Sequence, residues 1–183
     1  MVHEVVIEKH THQAHVMMGH TAYAANDSRH MALFLLNNIL GGPALSSRLN
    51  MSLREKAGLV YTVQSTLSSY TDTGVWSIYF GCDPGDVKRC KNIVIRELSR
   101  LVEKPLSERA LKAAKRQLKG QVMLSYENKE EVALGMGKRM LHYGRYRTPE
   151  EILQDIDSIT ADQLHTVARE VMHPDNLTIL IYT

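Results

Sequence analysis

What the chain lacks narrows the field first. Its 183 residues hold two cysteines, Cys82 and Cys90, with no CxxC pair, so no disulfide framework can be built from them. A cystine between the two stays open. Each also suits a small buried hydrophobe, since Cys82 ends a strand pattern and Cys90 lies on an apolar helical stripe. Charge of one sign is scarce: a net +2 gives no overall pull toward nucleic acid or membrane, and any basic patch must be argued locally. No run of eighteen apolar residues occurs, so no segment predicts a membrane span. Met1-Val2-His3-Glu4 carries no signal-peptide pattern, and the sequence assigns no compartment. None of the nine histidines belongs to an HExxH or an HxxEH. There is no GxSxG, no Walker loop and no dinucleotide fingerprint either. Gly41-Gly42-Pro43-Ala44-Leu45-Ser46-Ser47 lacks the lysine that a phosphate cradle needs. No complete catalytic machine is legible.

What is present is an ordinary globular composition, 44% apolar and 23% charged, long enough for one core. We read residues 1–183 as a single domain. A short strand over Val5–Ile7 precedes a clearer alternation in which Ala14, Val16 and Met18 share one face. Asn26-Asp27-Ser28 supplies cap residues before Met31–Leu40, apolar on nearly all sides and expected to be a buried helix. Ser46 or Ser47 caps a second, short helix running to about Lys56, and Gly58 stands where a left-handed residue would stop it. Leu59, Tyr61, Val63 and Leu67 then share a strand face, and Trp76, Ile78 and Phe80 another, with a turn at 70–74 making a hairpin. Asp83-Pro84 starts the next helix and Ser107 a long one that breaks near Glu127-Asn128. Capping boxes open at Thr148 and Thr160, and Leu177, Ile179 and Ile181 form a closing strand. Hairpins and helices segregated in this way predict an α+β fold, a mainly antiparallel sheet with helices packed on it in a two-layer sandwich.

Two clusters invite a functional reading. His10, His12, His15 and His20 lie on or near one strand, and neutral imidazoles bind zinc, but no carboxylate or cysteine joins them at matching spacing. A solvated strand face explains them as well. Arg109, Lys112, Lys115, Arg116 and Lys119 recur at three- and four-residue steps along one helix, with Ala110, Ala114, Leu118 and Val122 turned inward. Such a stripe suits an acidic partner or nucleic acid, although no recognition motif accompanies it and a solvated helix face needs the same residues.

The informative stretch runs from Leu40 to Ser65, LGGPALSSRLNMSLREKAGLVYTVQS. It resembles the C-terminal half of the pitrilysin/insulinase family of zinc peptidases, which includes the subunits of mitochondrial processing peptidase. In that family a helix carrying LREK leads through a Gly-Leu pair into a strand that begins near a tyrosine. Arg54, Glu55, Lys56, Gly58, Leu59 and Tyr61 are the matching residues. The likeness continues in order through Gln13-Ala14-His15-Val16, Asp72-Thr73-Gly74, the helix from Ser107 to Gly120, and Thr160-Ala161-Asp162-Gln163.

The resemblance implies a LuxS/MPP-like metallohydrolase fold and a two-half enzyme closing around an extended peptide. Zinc would be bound by the HxxEH half, with no ligand expected in this chain. The chain would then be a domain of a longer protein, or a subunit that works with a zinc-bearing partner, and inactive alone. The resemblance also implies that Arg54 and Tyr61 act on substrate, with Gly58 and Ser65 beside them. Chemistry agrees: a phenol aimed at the scissile carbonyl adds electrostatic help as negative charge develops there, and a guanidinium fork suits peptide carbonyls or a carboxylate. Without the resemblance, Tyr61 is a core aromatic beside Leu59 and Val63, and Arg54 lies over its own helix. A non-catalytic scaffold or processing subunit of the same fold remains an alternative, as does an acidic-partner or nucleic-acid binder using the basic helix.

Overall fold

The computed structural model describes residues 3–9 and 12–183, without the side chains of 142 and 143. Five strands, β1 (His3–Ile7), β2 (Ala14–Ala22), β3 (Val60–Ser69), β4 (Gly74–Cys82) and β5 (Thr178–Tyr182), form one sheet in the order β1-β5-β2-β4-β3. Period-two patterning sets its facing. Ala14, Val16, Met18, Trp76, Ile78, Phe80, Ile179 and Ile181 point into the core, while Met17 and Val75 between them are exposed. One face is therefore covered and the other open, which is the two-layer α+β sandwich the sequence predicts. The sheet is mixed rather than purely antiparallel: β1 runs parallel to β5, and the other pairings are antiparallel.

Among the described residues there are six helices, α1 (His30–Gly41), α2 (Val87–Glu103), α3 (Glu108–Ser125), α4 (Lys129–Tyr143), α5 (Pro149–Ser158) and α6 (Ala161–Val171). The cap expected from Asn26-Asp27-Ser28 does not form: α1 starts after Arg29, whose side chain makes no cap hydrogen bond. Ser107 caps α3 through Ala110 N–H, Asn128 caps α4 through Glu131 N–H, and Thr148 and Thr160 each close a full capping box. Asp83-Pro84 opens a 3-10 turn (Pro84–Asp86) before α2 rather than the helix itself. Leu118 of α3 is buried and Ala114 and Val122 pack against the core, whereas Ala110, expected inward, is exposed. Cys82 and Cys90 are free, buried thiols. Burial pushes the Cys90 thiol up to about 12, so both behave as small core hydrophobes.

Candidate functional site

The candidate site is built where α1 ends against β3. Asn37 and Asn38 are the buried polar residues of α1, and each has a partner. Asn37 Nδ2 donates to the Ser65 carbonyl at 3.1 Å, and Ser65 Oγ donates to Asn37 Oδ1 at 2.6 Å. The same hydroxyl accepts from Trp76 Nε1 at 2.9 Å. Asn38 Nδ2 donates to Gln121 Oε1 of α3 at 2.6 Å. These bonds satisfy amides that would otherwise be costly to bury, and they tie α1, β3, β4 and α3 together. Gly41 permits the approach: a Cβ there would lie 2.7 Å from the Ser65 nitrogen.

Beyond Gly42 the chain enters a π-helical turn, Asn50–Glu55, in place of the ordinary short helix that the sequence suggests. Ser47 is buried beneath it, where its hydroxyl takes a bond from Asn50 Nδ2 at 2.8 Å. The Lys56 amide reaches back five residues to Met51 O, and the Leu59 amide six residues to Leu53 O. Such wide turns are uncommon and often mark functional positions. Gly58, at φ 62°, makes the left-handed corner predicted for it. It is exposed and does not line the groove described below; its part is to reverse the chain between Arg54 and Tyr61.

The next irregularity decides where Tyr61 goes. Val60 pairs with Cys82 and Val63 with Phe80, so Tyr61 and Thr62 together face Gly81 alone, a β-bulge on the edge strand. Counting back by twos from Val63 would put Tyr61 in the core. The bulge absorbs the odd residue instead, and both Val60 and Val63 are buried while Tyr61 is 88% exposed. The shared face of Leu59, Tyr61 and Val63 expected from the sequence is broken at that point.

The result is a groove of about 580 Å³. Arg54 and Tyr61 both line it, over a floor that includes Asn37, Gly41, Ser65 and Gln121. Phe34 and Leu45 add exposed apolar surface to its walls. The Arg54 side chain is 46% exposed, and its Nε lies 3.8 Å from Glu55 Oε1, too long for a firm hydrogen bond. Its donor fork is thus largely uncommitted. Ser65 differs from the expectation of a substrate-facing residue. It is 6% exposed, and its one hydroxyl proton goes to Asn37, so it supports the floor and has no donor to offer a ligand. No sequence motif marks Asn37, Asn38 and Gln121. Paired asparagines inside an apolar helix were the available signal, because buried amides demand partners.

The remaining clusters are dispersed. His15 Nδ1 shares a 2.8 Å hydrogen bond with Tyr79 Oη and stacks on that ring, and His20 Nδ1 bonds to the Thr21 carbonyl at 2.8 Å. His10 lies outside the described residues. Among the described residues no group of three or more His, Cys, Asp or Glu could hold a metal ion, so they do not fit a zinc site. The basic stripe on α3 is partly spent internally. Lys115 Nζ donates to the Asp157 carbonyl and Lys119 Nζ to both Asp157 carboxylate oxygens, each at 2.8 Å.

Fold and site together define a two-layer α+β domain with a polar-floored groove beside a bulged edge strand. The chain belongs to the M16 peptidase family: residues 2–118 match the model described as the peptidase M16 inactive domain. It is 36% identical to an uncharacterised zinc protease of Streptomyces coelicolor over 91% of this chain and 36% of that protein. An uncharacterised zinc protease of Bacillus subtilis is 32% identical over 95% of this chain and 42% of its own length. The mitochondrial-processing peptidase subunit beta of Blastocladiella emersonii is 29% identical over 91% of this chain and 37% of that subunit. The fold matches a crystal structure of a peptidase M16 inactive domain from Pseudomonas fluorescens with a TM-score of 0.87 at 21% identity, over 99% of this chain and 43% of that one. The chain thus spans about two-fifths of the length of these relatives. The family is one of zinc proteases, and the domain matched here is the one described as inactive.

Proposed function

We propose that this chain is the substrate-holding half of an M16 zinc metalloendopeptidase and completes an active site whose zinc is held by an HxxEH-bearing half. In this reading a peptide lies in the groove beside β3. Arg54 fixes it through a carbonyl or carboxylate, and the Tyr61 hydroxyl donates to the scissile carbonyl oxygen as charge gathers there. The observation that carries the reading is the exposed Tyr61 phenol on a bulge, lining the same groove as the loosely held Arg54 guanidinium. A core aromatic would be enclosed, and this one is in solvent. Ser65 and Asn37 keep the floor in place, and Gly58 sets the separation of the two acting groups.

The test is reconstitution. This chain alone hydrolyses no peptide, and turnover arises when a zinc-loaded HxxEH half of a family member is added. In that mixture Tyr61→Phe lowers kcat on the order of a hundredfold, the scale of losing one oxyanion donor, with little change in KM. Arg54→Ala acts mainly on KM. Unchanged turnover in Tyr61→Phe would remove the assigned role.

A further inference from the structure

A second cleft, on the other side of the π-helical turn, is unlike the groove in its chemistry. It is open, about 870 Å³, and lies between residues 52–57 and the first four turns or so of α2. Lys56, Lys88, Arg89, Arg96 and Arg100 line it, against Asp86 and Glu97. Lys88 and Arg96 stand two helical steps of four apart, and Arg89, Arg96 and Arg100 follow at steps of seven and four, so α2 presents them along one side. Among the described residues no carboxylate pairs with Lys56, Lys88, Arg89 or Arg96. Arg100 alone is engaged, through Nη1 to Glu97 Oε1 at 2.7 Å. Glu97 is 6% exposed, and Arg48 behind it also feels its charge. The buried carboxylate is therefore already paired, which leaves Asp86 as the one other carboxylate among the described lining residues against Lys56, Lys88, Arg89 and Arg96.

We infer that this cleft binds an acidic, extended polypeptide segment, a site separate from the groove that holds Arg54 and Tyr61. The spacing of the charges favours a peptide. From Lys88 to Arg100 the helix advances about 18 Å, the length of roughly five or six extended residues. Cations one helical step of four apart are about 6 Å apart, close to the roughly 6.6 Å between alternate side chains of a strand. Among the lining cations of α2 only Arg96 and Arg100 stand one such step apart; Lys88 lies two steps before Arg96, about 12 Å or four extended residues, with Asn92 between, so carboxylates spaced four and then two residues apart each meet a cation. A compact polyphosphate needs donors that converge on one point, whereas these are strung along a helix with Glu97 in the floor. Single-stranded nucleic acid would draw on aromatic stacking, and no aromatic residue is among the described residues that line the cleft. Ala57 and the buried Ile93 give apolar floor for the intervening side chains. The inference does not rest on the peptidase reading, because binding is measured without hydrolysis.

The probe is a fluorescein-labelled octapeptide alternating glutamate and alanine, titrated with this chain at low salt and followed by anisotropy. Saturable binding is expected, weakened about tenfold or more by the double substitution Arg89→Glu/Arg96→Glu. Lys112→Glu/Arg116→Glu on α3, an equal change in charge elsewhere, leaves it within about twofold. Lys88→Glu, a single exposed rim position, repeats the test should the double variant unfold. Absence of binding, equal losses in the α2 and α3 variants, or complete displacement of the peptide by equimolar inorganic tripolyphosphate would each overturn the inference.

Discussion

Two helical glycines, Gly41 in α1 and Gly120 in α3, ask opposite things of an added methyl group. At Gly41 the new Cβ would sit 2.7 Å from the Ser65 nitrogen and 2.8 Å from its Cβ, atoms held in the sheet and unable to retreat. At Gly120 it would meet nothing within 4 Å. Gly41→Ala therefore forces α1 off β3 and destabilises by about 1–3 kcal/mol, as overpacking does. Gly120→Ala stabilises by up to about 1 kcal/mol through helix propensity. Thermal unfolding of the two variants should move in opposite directions; a shared direction would mean that the floor of the groove is not close-packed. His30 gives a second residue-scale expectation. Its Nε2 shares a 2.8 Å hydrogen bond with Ser69 Oγ, and burial holds its pKa below the ordinary 6.5, with Arg139 and Arg147 also lowering it against the pull of Asp27. As pH falls through 6.5 the unfolded chain takes up this proton before the folded one does. His30 thus costs stability below that pH and nothing above it. The melting temperature should drop between pH 7 and pH 5, and His30→Asn should show a smaller drop over the same interval.

At the scale of elements, the bulge in β3 separates what holds the fold from what arms the groove. Deleting Thr62 leaves Tyr61 alone opposite Gly81 and makes the ladder regular from Val60 to Ser69, with Val60 and Val63 still facing the core. The apolar contacts survive, so stability should stay within about 1 kcal/mol of the parent. The extra bend and twist that a bulge imposes are lost, and the Tyr61 side chain is re-aimed. In the reconstituted peptidase the deletion should lower turnover at least about tenfold while the melting curve holds; a loss of both together would show that the bulge serves packing. The sequence reveals such elements unevenly, for a physical reason. Caps at Ser107, Thr148 and Thr160 are local, completed within three residues, and were legible as written. The π-helical turn and the bulge were not, because each is a one-residue departure from a period, set by what packs across from it. The resemblance of the LREK stretch is what points to Tyr61. Periodicity alone predicts a core position for it.

For the whole molecule, the two-layer architecture was legible because the alternations in β2 and β4 and the stripe on α2 are long and unbroken. The parallel β1–β5 pairing was not, since it joins His3 to Thr178 across nearly the full chain and no local pattern records it. The same distinction between local and tertiary support predicts how stability is distributed. β2, β4, α1 and α6 bury their inner residues in one core, while α4 has no buried residue among its described side chains and exposes Leu134 by 68% and Leu141 by 88%. It is held by its Asn128 cap and by a left-handed Gly144 at φ 67°. A fifteen-residue helix with little tertiary packing is marginal in water. Its amides should open locally, at a cost of about 1–3 kcal/mol, well below global unfolding. Native-state hydrogen exchange by mass spectrometry should show peptides from 129–143 exchanging long before those from 14–22 and 74–82. Equal protection in the two regions would mean that α4 is stabilised by packing beyond its caps, and would move it from the periphery of the fold into its cooperative unit.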